Sequence, residues 1–307
     1  METSINNNME TTINNNTQTN NNMETTTNSN TKQFSSAHPG LIVYALDQSG
    51  SMSESYPEGG NKANFVHRVV NRAINELINA NADGETIKDR AILSLIGFGG
   101  SVTEIRTDKL SAFANNPLRI ETATQKVSDG NGGLVEVTVQ NPIYFEPVAD
   151  GLTPLAELLD VVKQIVSGSM KQYPDSPAPV INIVTDGMPR SKDVDDEVEE
   201  ANAIAKADEI KALTCIDGHP SIFLCHLGTG NDKCELPDSE DQCKGKQSKF
   251  SYRISTELTK QQLDAAKKLE LNVSEGSHGM ICDADPVTFI KFINFGSSGA
   301  NQDRTMN

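Results

Sequence analysis

Three runs of oxygen-bearing side chains, each at the end of an apolar segment, carry the chemistry this sequence offers. In the first, GLIVYALDQSGSMS, the run Leu41-Ile42-Val43-Tyr44-Ala45-Leu46 stops abruptly at Asp47, Ser49 and Ser51. The second, DGLTPLAELL, sets Thr153 before a helical pattern, and the third, PVINIVTDGMPR, ends an apolar run at Asp186. Carboxylates and hydroxyls are hard oxygen ligands suited to Mg²⁺, Mn²⁺ or Ca²⁺. The competing reading is local. Asp and Ser favour turns because they hydrogen-bond nearby backbone. Thr153 could likewise cap the helix that Pro154 opens. Three such loops in one chain favour a shared site over separate turns.

Short apolar runs bounded by turn residues predict buried strands of a parallel sheet. Ligands in such sheets lie beyond the carboxyl ends of the strands, where these clusters stand. The D-x-S-x-S of Asp47, Ser49 and Ser51, followed by Thr153 and Asp186 on later loops, resembles the metal-ion-dependent adhesion site (MIDAS) of von Willebrand factor A domains. The resemblance runs roughly from Pro39 to Phe295 and departs from the family at none of the five positions. It implies that Ser49, Ser51 and Thr153 give hydroxyl oxygens to the ion, while Asp47 and Asp186 hold its waters or, in an alternative state, one of them binds directly. It also implies an open coordination position for a carboxylate from a protein partner. The similarity extends to intracellular bacterial A-domain proteins of the tellurite-resistance-associated kind, often encoded beside Ser/Thr kinases and PP2C-type phosphatases. The expected role is therefore a non-enzymatic adaptor in bacterial stress response or signalling. A Mg²⁺-dependent hydrolase is the alternative, although no phosphate-binding G-x-x-x-x-G-K-[ST] loop or G-x-S-x-G elbow is present.

Strand and helix patterns alternate along the chain, predicting a doubly wound α/β fold with a mostly parallel sheet and helices on both faces. Residues 62–79 carry an amphipathic helix, in which His67 reads as a surface residue beside Arg68. Val135, Val137 and Val139 alternate with polar residues as in a half-buried strand, so a β-hairpin is expected as an insertion at about 131–149, turning at Asn141-Pro142. The acids of 193–200 match the positive end of a helix dipole. Residues 228–249 read as a mobile polar loop. The A-type domain is expected at 37–296, flanked by a disordered Asn/Thr-rich repeat tail at 1–36 and a frayed tail at 297–307.

The 307 residues carry a net charge of −16, of which the N-terminal tail contributes only −2. Such acidity argues against nucleic acid or an anionic membrane as partner. No stretch approaches a transmembrane span and no signal peptide is visible, so a cytoplasmic protein is expected. Five cysteines do not suggest a disulfide framework. Cys215, His219, Cys225, His226, Cys234 and Cys243 match no standard zinc spacing, and Cys225 and Cys282 read as small buried residues inside strands.

Overall fold

The computed structural model describes residues 32–57, 60–128, 133–228 and 230–297. The tails expected at 1–36 and 297–307 lie outside these residues except at their inner ends. There, Phe34 is buried in the core and the Lys32 backbone donates to Asp217 Oδ1, so the folded unit begins before residue 37.

The organising strand is β1 (Gly40–Asp47), buried along its whole length. Its side chains alternate between two cores. Ile42, Tyr44 and Leu46 face one, and Leu41, Val43 and Ala45 the other. Each Leu, Ile or Val so buried contributes roughly 1.5–3 kcal/mol over leaving it in water. The chain continues through α1 (Lys62–Ala80), a two-residue pair β2 (Ala82–Asp83) and β3 (Thr86–Ile87), then β4 (Ala91–Phe98), β5 (Val102–Lys109) and α2 (Leu110–Asn115). A hairpin of β6 (Arg119–Ser128) and β7 (Leu134–Ile143) precedes α3 (Leu155–Gln172). Then come β8 (Val180–Thr185), α4 (Asp196–Lys211), β9 (Ser221–His226), β10 (Cys234–Glu235), α5 (Lys246–Ile254), α6 (Lys260–Lys268), β11 (Met280–Cys282) and α7 (Pro286–Ser297).

Seven strands form one sheet in the order β10-β11-β9-β8-β1-β4-β5. The central pairings are parallel, and only β5 and β10 run antiparallel, at the two edges. Residues of α1, α2, α6 and α7 cover one face, and those of α3, α4 and α5 cover the other. The doubly wound, mostly parallel α/β architecture is thus the one the sequence predicts. From β1 the chain steps to β4 on one side and later returns to β8 on the other. This reversal opens a crevice at the carboxyl ends of β1 and β8, the usual ligand position in such sheets. Among the described residues no helix is long and apolar enough to cross a membrane.

Five local expectations are corrected. The hairpin spans 119–143, and Asn141-Pro142 lies inside β7, paired with Glu121 and Ile120, so it is not the turn. Its strand is not half-buried either: Leu134, Val135 and Val137 are exposed, and among the described residues no layer covers the outer part of the ribbon. The 228–249 segment is built. It contributes β10 to the sheet, and Asp232 accepts hydrogen bonds from the Gly245 and Ser248 backbone that fix the start of α5. His67 is buried edge-on against Phe145, on the side of α1 that meets the end of the hairpin. Of the 193–200 acids, Glu199 is buried and accepts from the Ala156 backbone at 3.1 Å, serving the start of α3 rather than solvent.

Candidate metal centre

The structure brings the five residues singled out by the sequence to one end of the sheet. Asp47 is the last residue of β1, Ser49 stands at the cap of a short 3-10 turn, Gly50–Ser53, and Ser51 lies within that turn. Asp186 comes immediately after β8, and Thr153 stands two residues before α3. Ser49, Ser51 and Thr153 line one open depression together with Gly187 and Arg190.

Backbone hydrogen bonds hold the three loops in register. Asp150 N–H donates to Gln48 O at 2.6 Å, and Gly50 N–H donates to Gly151 O at 3.0 Å. Thr153 and Arg190 exchange both N–H···O bonds, at 3.0 and 2.9 Å. Glycine is required at the closest approach. Gly151 has φ +86°, and a Cβ there would lie 2.2 Å from Gly100 N. A Cβ on Gly99 would come within 2.6 Å of Asp150 O and 2.7 Å of Gln48 O.

The side chains form a continuous hydrogen-bonded chain. Ser49 Oγ lies 3.1 Å from Ser51 Oγ, and the Ser51 hydroxyl donates to Asp186 Oδ1 at 2.7 Å. Asp47 is almost fully buried. It accepts the Ser49 backbone N–H at 2.7 Å and the Thr185 hydroxyl at 2.6 Å. Burial pushes its carboxyl above the usual range, and the bonds from Thr185 and Ser49 oppose that rise. Thr153 makes no side-chain capping bond, because Pro154 holds the cap position of α3. The capping explanation for Thr153 therefore fails, and its hydroxyl is left to the depression.

Lys62 completes the centre and was not anticipated. Its ammonium donates to Asp186 Oδ2 at 2.8 Å and to Glu54 Oε2 at 2.7 Å, with the Asp186 side chain 0% exposed. Burial works to lower the Lys62 pKa, but the bonds to Asp186 and Glu54 outweigh it and raise it overall. One signal was available: a lysine at the first position of a helix opposes the dipole and needs another reason to be there. Thr185 gave none beyond its place before Asp186.

The donor set fits a hard divalent ion: oxygen only, drawn from three loops already fixed relative to one another. Ser49, Ser51 and Thr153 are placed to hold it, and Asp47 and Asp186 to supply negative charge behind them.

No protein-family model matches the chain, and no curated protein matches it. Solved structures do. The proximal thread matrix protein 1 of mussel byssus is 12% identical, with a TM-score of 0.41 over 83% of this chain and 47% of that one. A form of the same protein with a zinc-occupied MIDAS motif matches at 10% identity and TM-score 0.36, over 83% of this chain and 47% of that one. The vWF domain of the type V pili tip protein Mfa5 from Porphyromonas gingivalis is 13% identical, with a TM-score of 0.30 over 52% of this chain and 42% of that one. The chain spans 22% of a longer Mfa5 structure and 40% to 51% of the next three matches. Likenesses this distant carry no functional argument, which rests on the centre itself.

Proposed function

We propose that this protein is a metal-dependent protein-binding module of the MIDAS type. The observation that carries the reading is the convergence of Ser49, Ser51 and Thr153 on one open depression, with Asp47 and Asp186 hydrogen-bonded behind them, through loops stapled by backbone bonds. A divalent cation held mainly by hydroxyls keeps much of its charge, and in an open site it offers a coordination position to a carboxylate from a partner protein. Mg²⁺ is the favoured ion, with Mn²⁺ or Ca²⁺ as substitutes. The module acts without catalysis, as an adaptor. A bacterial stress or phosphorylation pathway, with a Ser/Thr kinase or a PP2C-type phosphatase as partner, is the setting suggested by the resemblance to A-domain proteins.

Capture from host lysate tests this, run with Mg²⁺ or EDTA and with wild-type or Asp47→Ala bait. A partner lost with EDTA and lost with the variant supports the module. A partner set indifferent to both overturns it, and hydrolysis of phosphate esters becomes the reaction to assay.

A further inference from the structure

The carboxyl edge of the sheet carries a second group of potential ligands. Past Thr185, the polar row continues across three strands. Thr185 pairs with His226 of β9, His226 with Cys282 of β11, and Cys282 with Cys234 of β10. Residues in direct register across a sheet point to the same face, with Cβ atoms about 4.5–5.5 Å apart. His226, Cys282 and Cys234 therefore stand side by side. A fourth group folds back from the 228–249 segment, bringing Cys243 Sγ to 3.6 Å from Cys234 Sγ. At the other end of the row, Cys282 Sγ lies 3.3 Å from His226 Nδ1, and Asp283 Oδ1 lies 3.2 Å from the same nitrogen.

From this arrangement we propose a second metal site, for Zn²⁺, centred on Cys282 and His226, whose ligand atoms lie with an Asp283 oxygen within 4.8 Å of one another, and completed by the Cys234–Cys243 pair, which closes onto them when the ion binds. The two close pairs resemble edges of a tetrahedron. Zn–S bonds of ~2.3 Å and Zn–N bonds of ~2.0 Å put neighbouring sulfurs about 3.8 Å apart and S···N about 3.5 Å apart. All four residues are buried, and the three cysteines form a small cluster of their own with Met280, apart from the two main cores. Cys225 is excluded by strand alternation. It precedes His226 and points into the opposite core. Cysteine thiols are ordinarily protonated at neutral pH, and metal ligation requires the thiolate. Binding then exchanges three thiol protons for one Zn²⁺, giving a closed site with net charge −1. Asp283 Oδ1 faces the same Nδ1 that lies beside Cys282 Sγ, so it yields that nitrogen when the metal binds, while its Oδ2 stays held by the Asp232 backbone N–H.

Such a site is structural. It ties β10, β11 and β9 to the 228–249 segment at the edge of a sheet where β10 contributes only two residues. It also differs from the oxygen site in softness, so the two can be told apart spectroscopically. The full chain carrying Asp47→Ala, which disables the oxygen site, is reduced and titrated with Co²⁺. One equivalent giving a thiolate-to-cobalt charge-transfer band, displaced by one equivalent of Zn²⁺, supports the site. Zn²⁺ should also protect three thiols from an alkylating reagent and a chelator should expose them. Cys215→Ser should leave the band intact, and Cys234→Ser or Cys282→Ser should abolish it. Absence of the band in the folded Asp47→Ala protein overturns the proposal. So does a Cys234–Cys243 disulfide found by mass spectrometry in protein purified without reductant but with Zn²⁺.

Discussion

Replacing Lys62 with methionine tests how the oxygen site keeps its carboxylates together before any ion arrives. The ammonium is the charged partner of Asp186, whose side chain is fully buried, and it bridges to Glu54 at the surface. Removing one partner of a buried ion pair costs about 3–5 kcal/mol, because a charge is left uncompensated. Glu54 is largely exposed and its bond to Lys62 is worth only about 0–1 kcal/mol, so the pair ends at the surface and a loss of roughly 2–3 kcal/mol is the better figure. In a domain of this size that lowers Tm by about 4–12 °C in EDTA. The same substitution removes a positive charge lying one carboxylate away from Ser51 Oγ, roughly 6 Å. For a divalent ion the repulsion would be about 5.5 kcal/mol at an effective dielectric constant of 20 and about 1.4 kcal/mol at the value of bulk water, to which an open, hydrated depression lies closer. Mg²⁺ should therefore bind about tenfold tighter to Lys62→Met, and Mg²⁺ should raise its Tm more than it raises that of wild type. Calorimetric titration and thermal melts with and without Mg²⁺ read both quantities. Equal Tm in EDTA together with unchanged Mg²⁺ affinity would refute the assignment of Lys62 as the built-in counter-ion.

Two further outcomes follow from the same geometry. Thr185→Val keeps the shape of a fully buried side chain but deletes the hydroxyl bonded to Asp47, so unfolding in denaturant at neutral pH should show a loss of about 1.5–3 kcal/mol; an unmoved midpoint would remove Thr185 from the centre. Burial holds His67 and His278 below the ordinary histidine range, so the folded chain resists protons that the unfolded chain accepts below about pH 6.5. Stability should thus fall as pH drops through that value, and His67→Phe should flatten the acid side of a plot of Tm against pH; a parallel curve would show that His67 does not titrate with unfolding.

The oxygen site was legible because each ligand sits at the end of a strand or at the start of a helix, where local apolar patterning fixes its position. Asp47 and Asp186 could be placed from runs of six residues each, whereas the order of the strands was not read from the sequence. What was hidden is pairing between segments distant in sequence. Nothing local to Lys62 announces Asp186, which lies 124 residues on. The four candidate zinc ligands span residues 226 to 282 and keep no standard spacing, because they come from adjacent strands rather than from one loop. Cys282 looked like a core residue, and by burial it is one. Only register with His226 and Cys234 gives it a second reading. The hairpin was misplaced for a simpler reason. Asn141-Pro142 reads as a turn by composition, whereas Pro is tolerated at the edge of a ribbon that has no further strand beside it among the described residues.

The loops of the oxygen site are joined by main-chain atoms: Gln48 with Asp150, Gly50 with Gly151, and Thr153 with Arg190. Main-chain bonds do not depend on which side chains are present, apart from the glycines that allow the close approach. Frame and ligands are therefore separable in heredity. Mutation can retune or erase ion binding, one residue at a time, on a platform that persists, and descendants that lose the ion still inherit a rigid, three-loop surface on which a different recognition can be built.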